Sequence, residues 1–212
     1  MCILAEVLIT LGIIGVVAAI TLPILVQNYQ KKVTVNKLKK FYTNMNQVLM
    51  QAKVNNGDFS TWDYENSEEF YVNYIEPYIK NVDKVQTNVN IYGDFYGGIR
   101  FVFADGTQAL LSARYSNFTG SQEPTIIYYT SARNLSAVDR NTKKPTHERF
   151  YFKINDKGMV IPPHMDLTRE QNLINCGNVY TNGNHNYGTN GYTDCFTLIY
   201  KDGWKISDDY PW

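Results

Sequence analysis

Hydrophobic positions are distributed along this chain in three distinct ways. From Val7 to Gln30 there is no charge, and up to Val26 nearly every residue is apolar. At 1.5 Å per residue, 20–24 such residues reach about 30–36 Å, enough to cross the hydrocarbon core of a bilayer. Beyond Gln30 the pattern becomes periodic. Leu38, Phe41, Tyr42, Met45, Val48, Leu49 and Ala52 recur at steps of three and four, while Lys37, Lys39, Lys40 and Gln47 fall off that stripe. The two stretches read as one helix of roughly 50 residues, about 75 Å long. Asn55-Asn56-Gly57 supplies its stop signal. Residues 1–30 would then be a transmembrane and assembly segment, and 31–57 the continuation of the helix onto a domain. A cleaved secretory signal would be shorter, start with Lys or Arg and end in small residues. This segment does none of these.

After Gly57 the third pattern begins, and residues 58–212 read as one globular domain. Asn66 and Glu69 stand at capping-box spacing ahead of a short helix. Its apolar face is Phe70, Tyr71, Tyr74, Ile75, Tyr78 and Ile79, and Pro77 should end or bend it. Strand signals follow. Ile99–Leu111 is a hairpin around Asp105-Gly106, Thr125–Tyr129 and Arg149–Ile161 add strands, and Phe196–Ile206 is read as a closing pair. Asn81–Gly98, Tyr115–Pro124 and the stretch between Cys176 and Cys195 read as surface variation. The expected class is α+β: a long N-terminal helix whose back half packs on an antiparallel β-sheet.

Composition adjusts this picture only slightly. Lys+Arg and Asp+Glu balance at 20 each, so net charge points neither to nucleic acid nor to an anionic surface. Charged residues are 19%, below the usual quarter, while Tyr reaches 17; that balance suits an extracytoplasmic domain kept soluble by neutral polar groups. The three cysteines lack CxxC or Cys/His ligand spacing, which argues against zinc. A disulfide between Cys176 and Cys195 would pin the Asn/Gly/Tyr-rich loop between them, stabilising by about 3 kcal/mol. The alternative is two free thiols in a reducing compartment.

Three features of the apolar segment exceed what a plain anchor needs. Pro23 removes the bond to the Ala19 carbonyl and should kink or loosen the helix. Gly12, Gly15, Ala18 and Ala19 make a smooth face, with Gly15 and Ala19 in the small-xxx-small relation that permits close helix approach. The third feature is Glu6, an acid at the lip of the segment. An unpaired acid inside a membrane costs on the order of 2–3 kcal/mol. It either reaches back to the headgroups or waits for a cation, and its own chain offers none within one turn. A terminal amine on a second copy of the chain fits.

The stretch Cys2-Ile3-Leu4-Ala5-Glu6 followed by VLITLGIIGVVAAITLP resembles the processed N-terminus of the type IV pilin and type II secretion pseudopilin family. That family has approximately Phe-Thr-Leu-x-Glu before an apolar run with a proline near its end. CFTLIYKDGWKISDDYPW, from Cys195 to Trp212, is similar to the family's C-terminus, where a cysteine opens a strand leading to a Gly-Trp-Lys turn. AVDRNTKKPTHERFYFKI, from Ala137 to Ile154, looks like a degraded Asp-x-Asn-Gly…Lys-x-Pro-Asn stretch. The resemblance implies cleavage of a leader by a prepilin peptidase and N-methylation, with Cys2 in the frame of the methylated aromatic. It also implies an inner-membrane assembly platform, and packing of the helices into a pilus or pseudopilus with Glu6 paired to a neighbour's amine. Met1 stands where the leader's glycine belongs, so the expectation is that a basic leader precedes the sequence; the alternative is a chain that is not processed in the standard way.

Orientation draws on opposing signals. Lys31, Lys32, Lys37, Lys39 and Lys40 follow the apolar run, which by the positive-inside rule favours the cytoplasm. The cysteines and the resemblance place the domain outside, in a single-pass bacterial inner-membrane protein with a periplasmic or external domain.

Catalytic chemistry finds little support. His147, His164 and His185 are scattered, and no nucleophile elbow, phosphate loop or dinucleotide fingerprint is present. No cofactor is expected. Asp139, Asn141 and Asp156 could contribute to a calcium site, although Asp and Asn serve turns more often than metals. The function expected is therefore that of a pilin-like structural subunit, not an enzyme, whose partners are lipid and copies of itself. The alternative is a binding module or enzyme that uses the helix only as a tether.

Overall fold

The computed structural model describes residues 3–91, 95–113, 123–131, 147–177 and 193–212, with backbone alone at 3–6, 90–91 and 95–96. Helix α1 runs unbroken from Ile3 to Asn56, 54 residues, and passes through Pro23. It stops where expected. Gly57 takes the left-handed conformation (φ 81°) and its N–H donates to the Lys53 carbonyl at 3.0 Å.

The back half of α1 forms one wall of the core. Leu38, Phe41, Met45, Val48, Leu49 and Ala52 are all buried, as their spacing predicts. Burial of each of the larger side chains contributes about 1.5–3 kcal/mol. Facing them is a six-stranded antiparallel sheet in simple sequence order: β1 (Val82–Ile91), β2 (Phe95–Phe103), β3 (Gln108–Ser112), β4 (Thr125–Tyr129), β5 (Arg149–Ile154) and β6 (Val160–Ile161). The fold is thus α+β, with a long helix packed on an antiparallel sheet. Alternation along the strands sends Ile99, Phe101, Leu111, Ile126, Tyr128, Phe150 and Phe152 to the helix side. Phe41 sits at the middle of this contact, stacked on Tyr128 at 4.2 Å and edge-on to Phe152 at 5.1 Å. The opposite side carries a second, smaller buried cluster of Leu110, Ile127, Tyr129 and Tyr151.

Between α1 and the sheet, α2 (Ser67–Phe70) continues into a π-turn over Tyr71–Ile75. The capping box is real in its first half, since the Asn66 side chain accepts from the N–H groups of Glu68 and Glu69. Phe70, Tyr71 and Ile75 are buried, and Trp62 stacks on Tyr74 at 4.2 Å.

Two expectations are corrected. The segment opening at Cys195 is not a strand but helix α4 (Cys195–Lys201). Its buried Cys195, Phe196, Leu198 and Ile199 sit at i, i+1, i+3 and i+4, the helical spacing. The β-branched residues Thr197 and Ile199 give the same run a strand-like composition, and over seven residues the two periods are hard to separate. The turn at Gly203-Trp204 does follow, with the Trp204 N–H donating to the Ile199 carbonyl at 2.8 Å. The second concerns 81–98, read as surface variation: its described residues are exposed or half-buried for most of their length, but they form the edge strand β1 and the start of β2. The register shifts between Val82 and Lys84, Gln86 and Val89, and Val89 and Ile91. Each irregularity displaces the apolar positions, so Val82, Val85 and Val89 lose the alternation that would announce a strand. Helix α3 (Arg169–Gly177) is largely polar and turns few apolar groups inward, among them Cys176 and Leu173.

Candidate functional site

The front half of α1 is the most unusual surface of the molecule. Leu8, Ile9, Leu11, Ile13, Ile14, Val16, Val17, Ile20, Leu22, Ile24 and Leu25 are all more than half exposed, on every side of the helix. A helix apolar all round belongs in lipid or among other helices. From Val7 to Val26 it spans about 30 Å, the thickness of a hydrocarbon core. By length and composition this helix can cross a membrane once. Its two hydroxyls in that stretch are satisfied internally: Thr10 donates to the Val7 carbonyl and Thr21 to the Val17 carbonyl, both at 2.9 Å.

The small residues lie open on this surface. A Cβ added at Gly12 or Gly15 would meet nothing within 4 Å, and Ala19 is exposed. Space along this strip is therefore available to a neighbouring helix. Pro23 sits inside the helix without ending it. Glu6 occupies a helical position one residue before the exposed run, at the end of α1 remote from the domain. Cys2 lies outside the described residues.

Lysines that follow the apolar run are largely committed to the domain. Lys37 donates to the Thr130 carbonyl at 2.8 Å, Lys39 lies over the Trp204 ring at 5.6 Å, and Lys40 pairs with Asp105 at 2.8 Å. Burial opposes ionisation of Asp105, but Lys40 together with the Thr107 hydroxyl and N–H holds its carboxyl down at about 2. This pair helps line a cleft of about 350 Å³ between α1, the β2–β3 turn and residues 78–81, with Phe41, Met45 and Tyr128 among its walls.

At the far end of the sheet, Cys176 and Cys195 form the disulfide that their loop suggests, joining the last turn of α3 to the first of α4. Beside it the buried Asp194 accepts from His164 Nδ1 at 2.6 Å and from Asn172 and Asn175 at 2.8 Å each. Burial pushes the Asp194 carboxyl up, yet these donors outweigh it and hold it below its ordinary value. The same hydrogen bond, against burial, raises His164. Lys201 donates to Asn172 Oδ1 at 2.8 Å and to the Leu167 carbonyl, so the node is cross-braced. Arg169 then grips Asp202 and Asp209 at 2.7–2.9 Å, tying the chain's last turn to α3. None of these pairings was legible beforehand, because their partners are separated by up to 40 residues without a motif. The node's geometry is that of a brace. Each Asp194 oxygen is already taken by donors from the protein.

Of the residues considered for calcium, Asp139 and Asn141 lie outside the described residues, and Asp156 is an exposed turn residue between β5 and β6. Among the described residues no group of three or more His, Cys, Asp or Glu side chains is placed to hold a metal ion. His147 packs against Trp212 at 4.9 Å, His164 serves Asp194, and His185 lies outside the described residues.

These features define a class: an α+β protein whose disulfide-braced domain is built on the rear of one long helix with a bilayer-length apolar front. The chain belongs to a family of unknown function (DUF6613), matched over residues 24–212, that is, from just after Pro23 through the whole domain. No curated protein and no solved structure matches it.

Proposed function

We propose that this protein is a pilin-like structural subunit that assembles through its N-terminal helix into a type IV pilus or type II secretion pseudopilus. One observation carries the reading: a single helix serves as a core wall for half its length and stands bare and apolar for the other half. A tether alone needs bilayer length. It does not need continuity into the core, an open strip of Gly12, Gly15 and Ala19, or an acid at its lip. In the proposed mechanism the strip lets neighbouring helices approach closely. Glu6 stays costly in lipid until a neighbour's terminal amine arrives, so subunits docked out of register leave a charge unpaired. The protein acts by assembly, without an enzymatic step of its own. In this reading it sits in the bacterial inner membrane with its domain outside, after removal of a leader by a prepilin peptidase.

The test compares native protein with Glu6→Leu and Glu6→Gln in the native cell, using Ile14→Cys/Val16→Cys, two thiols on opposite faces of the helix, in a Cys2→Ser background as crosslinkers. Assembly gives a ladder of crosslinked species that both variants abolish. An unchanged ladder in Glu6→Leu, or no ladder in the parent, leaves only a tether.

A further inference from the structure

The base of the domain, where α1 leaves its apolar half, gathers an uncommon set of side chains. Tyr29 is 68% exposed, Lys32 is exposed, and Lys31 is half-buried with its Nζ 6.0 Å from the centre of the Trp212 ring. Trp212 is itself half-buried, with the His147 ring 4.9 Å from its own. Its position is held firmly. Tyr210 is buried, Arg169 fixes Asp209 at 2.8 Å, and the Trp212 N–H donates to the Tyr210 carbonyl at 2.8 Å.

Helix geometry sets the height of this cluster. Tyr29 and Lys31 stand three and five residues past Val26, hence about 4.5 and 7.5 Å along the axis. The polar layer of a bilayer adds about 5–7 Å on each side of the hydrocarbon core. A helix with Val26 at the hydrocarbon boundary therefore puts Tyr29 inside the headgroup layer and Lys31 at its outer edge, and any tilt lowers both. The Trp212 ring centre lies 6.0 Å from the Lys31 Nζ, which keeps it within a side chain's reach of that level. Tryptophan and tyrosine partition to this layer, and lysine beside it is drawn to lipid phosphate. Lys37 and Lys40 are bonded to the domain and Lys39 lies over Trp204, whereas Lys31 and Lys32 stand closest to the apolar run and so nearest the lipid.

We propose that Trp212, Lys31, Lys32 and Tyr29 form a footing that seats the globular domain on an anionic phospholipid surface. The footing rests on the membrane-span reading of α1 and is independent of filament assembly. It restricts how the domain can tilt on the bilayer, and extraction of the subunit would have to strip it.

The full chain is reconstituted in nanodiscs of phosphatidylcholine, alone or mixed with phosphatidylglycerol, carrying bromines either near the headgroup or deep in the acyl chains. The Trp212 signal is the difference between the parent and Trp212→Phe emission. Expected is a blue-shifted Trp212 component, quenched by shallow bromines and not by deep ones. Quenching should be stronger with phosphatidylglycerol and fall to the phosphatidylcholine level in Lys31→Gln/Lys32→Gln. An unquenched, water-like Trp212 overturns the proposal. Equal quenching in both lipids, unmoved by the lysine changes, overturns it too, since phosphate would then play no part. Labelling of Ile14→Cys (with Cys2→Ser) by a water-soluble maleimide separates the two layers of inference. A protected cysteine with unquenched Trp212 sinks the footing alone, while a labelled one sinks the membrane span with it.

Discussion

Asp194 and His164 stand 2.6 Å apart across 30 residues of chain, the carboxylate fully buried and the imidazole two-thirds covered. Asp194 directly precedes the disulfide cysteine Cys195 and α4, so this contact positions the C-terminal helix.

Its pH dependence follows from the two shifts. The folded His164 pKa is raised above its ordinary value of 6.5, so its contribution is complete below that value and is lost as pH rises through the folded pKa. Asp194 is lowered from 3.8, so its contribution is complete above 3.8 and is lost as pH falls through the folded pKa. The pair therefore stabilises most between those two reference values. Thermal melts of the parent should lose stability on the alkaline side of this window, and His164→Gln should flatten that limb. A parallel decline in the variant would assign the loss to other groups.

Reduction of the Cys176–Cys195 bridge should cost about 3 kcal/mol, since it releases a loop closed across a sequence separation of 19. Cys176→Ser/Cys195→Ser should show the same drop in denaturant midpoint, and reductant should then have no further effect.

Phe41→Ala should destabilise by about 3–5 kcal/mol, because it empties a site packed against Phe103, Tyr128 and Phe152 at once. Equilibrium unfolding in urea measures this directly. Phe41→Leu should recover part of the loss.

Gly158 lies in the β5–β6 turn at φ 69°, and a Cβ there would stand 3.0 Å from Phe59 Cβ. Gly158→Ala should cost roughly 1–3 kcal/mol through strain and displacement of Phe59. Gly106, also at positive φ but with nothing within 4 Å, should tolerate Ala better. The difference in melting temperature between the two variants isolates the Phe59 contact.

Elements with a strong period were legible in the sequence. The heptad-like stripe from Leu38 to Ala52 marked the buried face of α1, and the Asp105-Gly106 turn located the β2–β3 hairpin. Thr125–Tyr129 is a strand from end to end as read. Where apolar positions were sparse or shifted, tertiary context decided. The irregular register of β1 hid its alternation, α3 has only a thin apolar face, and α4 carries a strand-like composition on a helical spacing. The open strip of Gly12, Gly15 and Ala19 could be anticipated from spacing alone. The brace around Asp194 could not, because Asn172, Asn175 and His164 meet only once the chain has folded. The footing at Trp212 depends likewise on a contact between Lys31 and Trp212, far apart along the chain.

Because α1 continues without a break from the bare apolar front to the packed rear, the domain has no swivel. A pull on the β-sheet is transmitted to Phe41 and Leu49 and then straight down the backbone to Gly15. The molecule would answer mechanical load as a rod with a weight fixed to one end, not as a ball on a string. Any machine that grips the apolar half thereby steers the orientation of the whole domain.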